Sequence, residues 1–146
     1  MRLKLIKMKC VKSTNNVALK LIKKNQLKPT LITTALQTRG RGTMGKKWVS
    51  QKGNIFFSIF FEINPRKLNF KQYAILNAYL LKKIITKFTM KKIEIKWPND
   101  LIFNKEKLCG ILQEVINLNN KTFLIIGAGI FYASNIFLIM QITMPL

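Results

Sequence analysis

Residues 93–126 read IEIKWPNDLIFNKEKLCGILQEVINLNNKTFLII, and this stretch decides the fold. Its apolar residues come in short alternating blocks, broken by Pro98, by residues 104–107 and by the asparagines of 117–120, which is the punctuation of successive short strands. Residues 93–96 are predicted as a strand that stops at Pro98, because proline cannot donate to a ladder. Residues 101–103 and 108–116 then pair as a hairpin across 104–107, and residues 117–120 turn the chain into a further strand over 121–126.

Upstream of this meander the pattern changes period. Asn69 caps a long amphipathic helix whose predicted buried side is Phe70, Tyr73, Ala74, Leu80, Leu81, Ile84 and Phe88. Before it, residues 54–63 form a nearly continuous apolar run, the mark of a strand covered on both faces. Residues 37–52 are polar and glycine-rich, hence loop, and 31–36 make a short strand after Pro29. A first helix starts at Ser13 or Thr14 and carries Val17, Ala18, Leu21 and Ile22 at helical spacing to Asn25. Residues 2–8 alternate apolar and basic, as a half-buried strand does. Many strands with two good helices predict an α+β fold: a mixed, mostly antiparallel sheet flanked by helices. No internal repeat or interdomain linker interrupts it.

A chain of 146 residues is one domain's worth, and its balance of 26 Lys and Arg against 5 Asp and Glu gives a formal charge of +21. Such a charge suggests a nucleic-acid or anionic-membrane binder. The composition argues otherwise, because the basic residues are overwhelmingly lysines spread without a long block, and the arginines are Arg2, Arg39, Arg41 and Arg66. A biased, solvated surface accounts for most of the charge. The absence of histidine excludes Ser-His and Cys-His nucleophile pairs and histidine-ligated zinc. Cys10 and Cys109 have no metal spacing and are expected as small apolar residues of the fold. The N-terminus carries a lysine every two or three residues, so no signal-peptide core forms and a cytoplasmic protein is expected. From Thr122 onward no residue is charged. Gly127, Gly129, Ser134, Asn135 and Gln141 interrupt a membrane-helix reading and favour a buried strand followed by an unusual tail.

Two segments hold more polar chemistry than a fold requires. In Gln37-Thr38-Arg39-Gly40-Arg41-Gly42-Thr43-Met44-Gly45-Lys46-Lys47-Trp48 the glycines spell G-x-G-x-x-G. No amphipathic helix follows them, which excludes a dinucleotide fingerprint, and the partner motifs of a kinase are missing. What remains is a loop whose backbone N–H groups can cradle a phosphate or carboxylate, with Arg41, Lys46 and Lys47 supplying charge, or else a flexible basic loop. The second segment is Lys96-Trp97-Pro98-Asn99-Asp100-Leu101, followed by Lys107-Leu108-Cys109-Gly110-Ile111-Leu112-Gln113-Glu114. Asp100 beside a lysine suits a Mg²⁺ ligand or the charge partner of a phosphate-binding lysine, although alone it reads equally as a turn residue.

Together with Ser13-Thr14-Asn15 and Gly127-Ala128-Gly129-Ile130, these segments resemble the catalytic domain of biotin protein ligase, the biotin–[acetyl-CoA-carboxylase] ligase family, over about residues 10–130. The resemblance implies the fold shared with lipoate-protein ligases and class II aminoacyl-tRNA synthetases. It implies a reaction in which ATP activates biotin to biotinyl-5′-AMP, which a lysine of the biotin carboxyl carrier protein of acetyl-CoA carboxylase then attacks. Ser13, Thr14, Asn15, Gln37, Gly40 and Gly110 fall at the biotin end. Arg41, Gly42 and Thr43 lie in the loop that closes over biotin and its adenylate. Lys107 meets the biotin carboxylate, and Lys46, Lys47, Trp48, Lys96 and Asn99 belong to the ATP side, with Asp100 toward Mg²⁺. The catalytic set implied is Arg41, Lys96, Asp100 and Lys107, which needs no enzyme nucleophile. A homodimer is compatible with the resemblance; a membrane or nucleic-acid partner is not called for.

The sequence also departs from the family pattern. Thr43 and Met44 stand where many relatives have arginines, and Phe131 stands where an asparagine usually follows Gly129-Ile130. Residues 1–130 are expected to form the catalytic domain, cut short of the family's usual length, and 131–146 an atypical uncharged tail that a frame change near residue 130 would produce. A lipoate or octanoate ligase of the same fold, a basic RNA-binding module and an inactive remnant remain as alternative readings.

Overall fold

The computed structural model describes residues 2–89 and 92–131. The uncharged tail beyond Phe131 therefore lies outside the described residues, and with it the tail's predicted character. In chain order the elements are strand β1 (Lys4–Met8), helix α1 (Thr14–Lys23), strands β2 (Thr30–Thr34), β3 (Gly40–Arg41), β4 (Lys47–Trp48) and β5 (Ile55–Ile63), helix α2 (Phe70–Thr86), and strands β6 (Glu94–Lys96), β7 (Asp100–Phe103), β8 (Glu106–Leu118) and β9 (Lys121–Ile130). Seven strands form one sheet in the order β1-β2-β5-β9-β8-β7-β6, with β1 parallel to β2 and every other pair antiparallel. The mostly antiparallel α+β expectation is borne out. Strands β3 and β4 pair separately, so the predicted loop 37–52 contains a small hairpin closed by a 3-10 turn at Thr43–Gly45.

The meander owes its register to asparagine. Asn104 and Lys105 (φ 49° and 65°) turn β7 into β8, and Asn119 and Asn120 (φ 50° and 61°) turn β8 into β9. Two consecutive left-handed residues twist the chain in the sense that adjoining strands need, and asparagine tolerates that conformation. Both turns are tighter than the four-residue ones read from sequence, so β8 is longer than predicted at both ends, and β9 runs on past residue 126 to Ile130.

Strand alternation divides the core between two faces. Phe56, Ser58 and Phe60 of β5 are fully buried on the side of α1, where Ala18, Ile22, Ile32, Phe60, Phe123 and Ile125 pack together. Ile55, Phe57, Ile59 and Phe61 turn toward the other face and join Ala78, Ile85, Leu101, Leu124 and Ile126. The reading of β5 as covered on both faces holds. Burying each of these phenylalanines contributes about 1.5–3 kcal/mol.

Helix α2 corrects one expectation. Tyr73 and Leu81 pack against the core, but Phe70, Leu80 and Ile84 are exposed, and Asn77 takes a buried place instead. The helix is apolar nearly all round, so periodicity could not choose its face. Hydrogen bonding does: Asn77 Nδ2 donates to Gln113 Oε1 at 2.7 Å, and Gln113 Nε2 donates to the Phe70 carbonyl at 2.8 Å. The cysteines split as well, with Cys109 buried as expected and Cys10 exposed. Among the described residues no helix is long and apolar enough to cross a membrane.

Candidate functional site

The site begins at the N-terminus of α1. Ser13 is its N-cap, accepting from the Asn16 N–H, so Thr14 and Asn15 occupy the first turn, where backbone N–H groups have no helical partner. The Thr14 N–H instead donates to Gln37 Oε1 at 2.8 Å. A backbone N–H can only donate, which fixes the Gln37 amide and leaves its Nε2 to donate to Ser50 Oγ at 3.3 Å. Asn15 is fixed in the same way. Its Nδ2 donates to the Leu112 carbonyl and to Glu114 Oε2 at 2.8 Å, so its Oδ1 accepts from Ser58 Oγ at 2.5 Å. Ser58 Oγ also lies 2.7 Å from Thr14 Oγ1. Ser13, Thr14, Asn15 and Ser58 are all buried, and together with Gln37 they make a neutral network of oriented donors and acceptors.

Glycines clear the sheet in front of this network. In register, Ser58 stands opposite Gly127 and Gly127 opposite Leu112, while Phe56 stands opposite Gly129 and Gly129 opposite Gly110. Asn15 lies against Gly127, where a Cβ would overlap its amide, and a Cβ on Gly129 would come within 2.5 Å of the Trp48 ring. The Trp48 indole lies over Gly110 and Gly129, stacks on Phe131 at 5.0 Å and has the Lys107 ammonium 5.1 Å from its ring centre. Its Nε1–H is buried without a hydrogen-bond partner. Gly40, buried under β4, allows β3 and β4 to close, since a Cβ there would sit 2.6 Å from the Trp48 carbonyl.

Cations line the cleft beside this network. Arg41 Nη2 is bound by Glu114 Oε2, and its Nε–H is buried with no partner among the described residues. Lys107 Nζ is 2.8 Å from Asp100 Oδ1, and Lys46 and Lys47 stand exposed at the rim. Between these groups lies an open cleft of about 130 Å³. Gly42 and Thr43 line it beside Arg41, and Asn99 and Gly110 line it beside Asp100.

Most residues singled out in the sequence thus meet in one place. Lys96 does not: it sits exposed on edge strand β6, opposite Asp100 in register but outside the cleft lining. Asn99 lines the cleft, yet its Nδ2 donates to the Ile111 carbonyl at 3.0 Å and its backbone carbonyl accepts from the Ile111 N–H, which ties the Trp97-Pro98 turn to β8. Trp97-Pro98 is a cis peptide bond. Sequence reasoning left unassigned Ser50, Ser58, Glu114, Gly127 and Gly129. Glu114 carried a signal, as one of five acids in a chain of 26 cations; Ser58, inside an apolar strand, carried the signal of a polar residue where none is needed.

Burial pushes the Cys109 thiol up to about 12, with the Asp100 carboxylate adding to the effect and Lys107 opposing it. A thiol held protonated at neutral pH is no nucleophile.

The pattern of the biotin/lipoate A/B protein ligase family matches residues 7–130. The bifunctional ligase/repressor BirA of Bacillus spizizenii is 34% identical over 122 residues, which cover 82% of this chain and 38% of that protein. BirA of Escherichia coli is 32% identical over 96 residues, 64% of this chain and 30% of the relative. The chain therefore spans between 30% and 38% of the length of these curated relatives. Among solved structures, the biotin acetyl coenzyme A carboxylase synthetase of Helicobacter pylori with bound biotinylated ATP superposes with a TM-score of 0.78 at 25% identity, covering 96% of this chain and 71% of that one. The biotin protein ligase of Aquifex aeolicus in complex with biotin and ATP superposes at 0.71 with 34% identity, covering 87% of this chain and 51% of its own. A lipoate protein ligase of Thermoplasma acidophilum shares the fold, at 12% identity and a TM-score of 0.57.

Proposed function

The chain belongs to the biotin/lipoate A/B protein ligase family, and from that premise we propose that it activates biotin with ATP and passes the biotinyl group to a lysine of the biotin carboxyl carrier protein of acetyl-CoA carboxylase. The observation that carries this reading is the divided polarity of the cleft. A neutral, fully oriented network of Thr14, Asn15, Gln37 and Ser58 makes up one part, and the cations Arg41, which meets that network at Glu114, and Lys107, beside Asp100, make up the other. A ureido ring offers both N–H donors and a carbonyl acceptor and suits the first part; a carboxylate or phosphate suits the second. A dithiolane or an alkyl chain offers no N–H or carbonyl to such a network, which favours biotin over lipoate or octanoate.

In the first step a biotin carboxylate oxygen attacks the α-phosphorus of ATP, the bond to the β-phosphate oxygen breaks, and pyrophosphate leaves. In the second, the carrier lysine amine attacks the acyl carbon, AMP leaves, and the amine's proton is lost to water. Lys107 and Arg41 hold two anions together and offset charge as it develops, which is positioning and electrostatic catalysis without a covalent enzyme intermediate. Trp48 covers the glycine floor and excludes water from the reacting atoms. Mg²⁺ is a different matter. Among the described residues no group of three or more acidic, cysteine or histidine side chains is placed to hold a metal, and the one carboxylate that would meet Mg²⁺ beside the ATP phosphates, Asp100, is paired with Lys107. Magnesium enters as the complex with ATP, and no step is assigned to a protein-held ion.

The test is to incubate the purified chain with ATP, MgCl₂, a biotin carrier domain and either biotin, lipoate or octanoate, then weigh the carrier. A mass gain of one biotinyl group with biotin alone is expected. A gain with lipoate or octanoate alone, or no gain with any acid, overturns the reading.

A further inference from the structure

We infer that Glu114 is a positioning residue that clamps the Gly40–Trp48 hairpin onto the first turn of α1 and thereby aims Arg41 at the ligand. The inference rests on the reading above and adds a residue to it. A single carboxylate oxygen, Glu114 Oε2, receives both Asn15 Nδ2, at 2.8 Å, and Arg41 Nη2. That one atom joins segments from three parts of the chain: α1, β8 and the small hairpin.

The hairpin needs such an anchor. Strands β3 and β4 share a two-residue ladder, and beyond it the turn is closed by the Gly42 N–H to the Lys46 carbonyl at 2.7 Å and the Lys46 N–H to the Thr43 carbonyl at 3.2 Å. A two-stranded hairpin is marginal in water by itself. Its attachments to the body are the Thr38 and Arg39 N–H groups on the Val11 and Lys12 carbonyls at 2.9 and 2.8 Å, the Gln37–Ser50 hydrogen bond, Trp48 on the glycine floor, and Arg41 on Glu114. Among the described residues, the last is the attachment made by the guanidinium itself.

The geometry of Arg41 shows what the clamp leaves free. Glu114 takes Nη2, while the Nε–H is buried without an acceptor among the described residues, in a residue that lines the cleft. A ligand oxygen would complete it. The Glu114 side chain keeps 25% of its surface exposed and Arg41 38%, so the pair sits at the cleft edge and not in the core. Charge supply points the same way: with 26 cations and 5 acids in the chain, a carboxylate paired to a cleft arginine is not background. Charge-assisted hydrogen bonds are about twice as strong as neutral ones, so a neutral amide at this position loosens both contacts without changing the shape of the side chain.

Brief trypsin digestion of wild-type protein and of the Glu114→Gln variant, with early cuts mapped by mass spectrometry, reads the clamp independently of biotin. Cleavage after Arg41, Lys46 and Lys47 is expected to be at least about fivefold faster in the variant, with other sites unchanged; cleavage of open segments tracks their open population. In parallel, titration calorimetry with biotin is expected to give at least about tenfold weaker binding. Glu62→Gln, which breaks the exposed ion pair to Lys121, is the control and should cut and bind as wild type. Hairpin cleavage at the wild-type rate overturns the inference, and so does faster cleavage with unchanged biotin affinity. Wild-type protein that binds no biotin overturns the proposed function, and the digestion then decides the clamp alone. Should Glu114→Gln fail to fold, Glu114→Asp retains the charge with a shorter reach; faster hairpin cleavage with weakened biotin binding supports the clamp, and wild-type behaviour in both measurements overturns it.

Discussion

Two parts of the cleft, meeting at Glu114, solve opposite problems. In the α1 part Thr14, Asn15 and Ser58 are almost fully buried, so every polar atom must have a partner and each amide orientation is forced. In the cationic part Lys46 and Lys47 stand in water, and Arg41 and Lys107 are half-exposed and held by one carboxylate each. The first part is specific because it is crowded. The second is strong at long range and tolerant at short range, because exposed charges are screened and adjustable. Recognition of a neutral ring belongs to the first and capture of an anion to the second.

Substitutions should break the two parts differently. The largest effect is expected at Gly127→Ala, whose methyl group overlaps the Asn15 amide. Displacing Asn15 disturbs the whole neutral network, and biotin affinity measured by calorimetry should fall by about a hundredfold, or about 2.7 kcal/mol, with about 1–3 kcal/mol lost from stability in urea denaturation. Lys107→Ala in the other part should slow adenylate formation by about tenfold, read by pyrophosphate release, while stability changes by less than about 0.5 kcal/mol. If the two variants lose stability alike, the contrast between a crowded and a tolerant part fails. Lys46→Ala, at the exposed rim, should change the ATP KM by about twofold or less.

Below the cleft floor Cys109 offers a control on the same geometry. Because its thiol is raised to about 12 from an ordinary 9.0, the folded protein holds it protonated across the whole range in which a free thiol ionises. At pH 8.5 a maleimide should label Cys10 quickly and Cys109 only after denaturant is added. Raising the pH from 9 toward 12 should cost stability, since the unfolded chain gains by ionising a thiol that the folded one keeps protonated. Equal labelling of both cysteines in the native state would contradict the burial of β8.

Much of this was legible in the residues. The strands of the meander, the caps at Ser13 and Asn69 and the two-sided burial of residues 54–63 follow from period and capping alone. The chemistry-bearing loop was visible from its glycines, and its place beside Asn99, Asp100 and Lys107 followed from the family resemblance and not from any local signal. What escaped were features decided by contacts distant in sequence. No local pattern shows that β3 pairs with β4, because a two-residue ladder has no periodicity. The buried face of α2 was misread because apolar residues surround that helix, and the choice among them rests on Asn77 meeting Gln113, 36 positions away. Ser58 and Glu114 were passed over for the same reason: one looks like an interruption in a strand and the other like a surface charge until Asn15 is placed between them.

The separation of these contacts along the chain has a consequence for how the protein comes into being. Asn15 meets Glu114 across 99 residues, and Thr14 meets Ser58 across 44. A chain emerging from the ribosome presents the first turn of α1 before these partners, with its polar groups satisfied by water. The Glu114 carboxylate that completes the site follows Asn15 by 99 residues. Loop closure over such distances is slow compared with helix formation. The cleft is therefore a late product of folding, and interrupted synthesis anywhere before β9 yields a chain that has its ligand-facing helix and nothing to close over it.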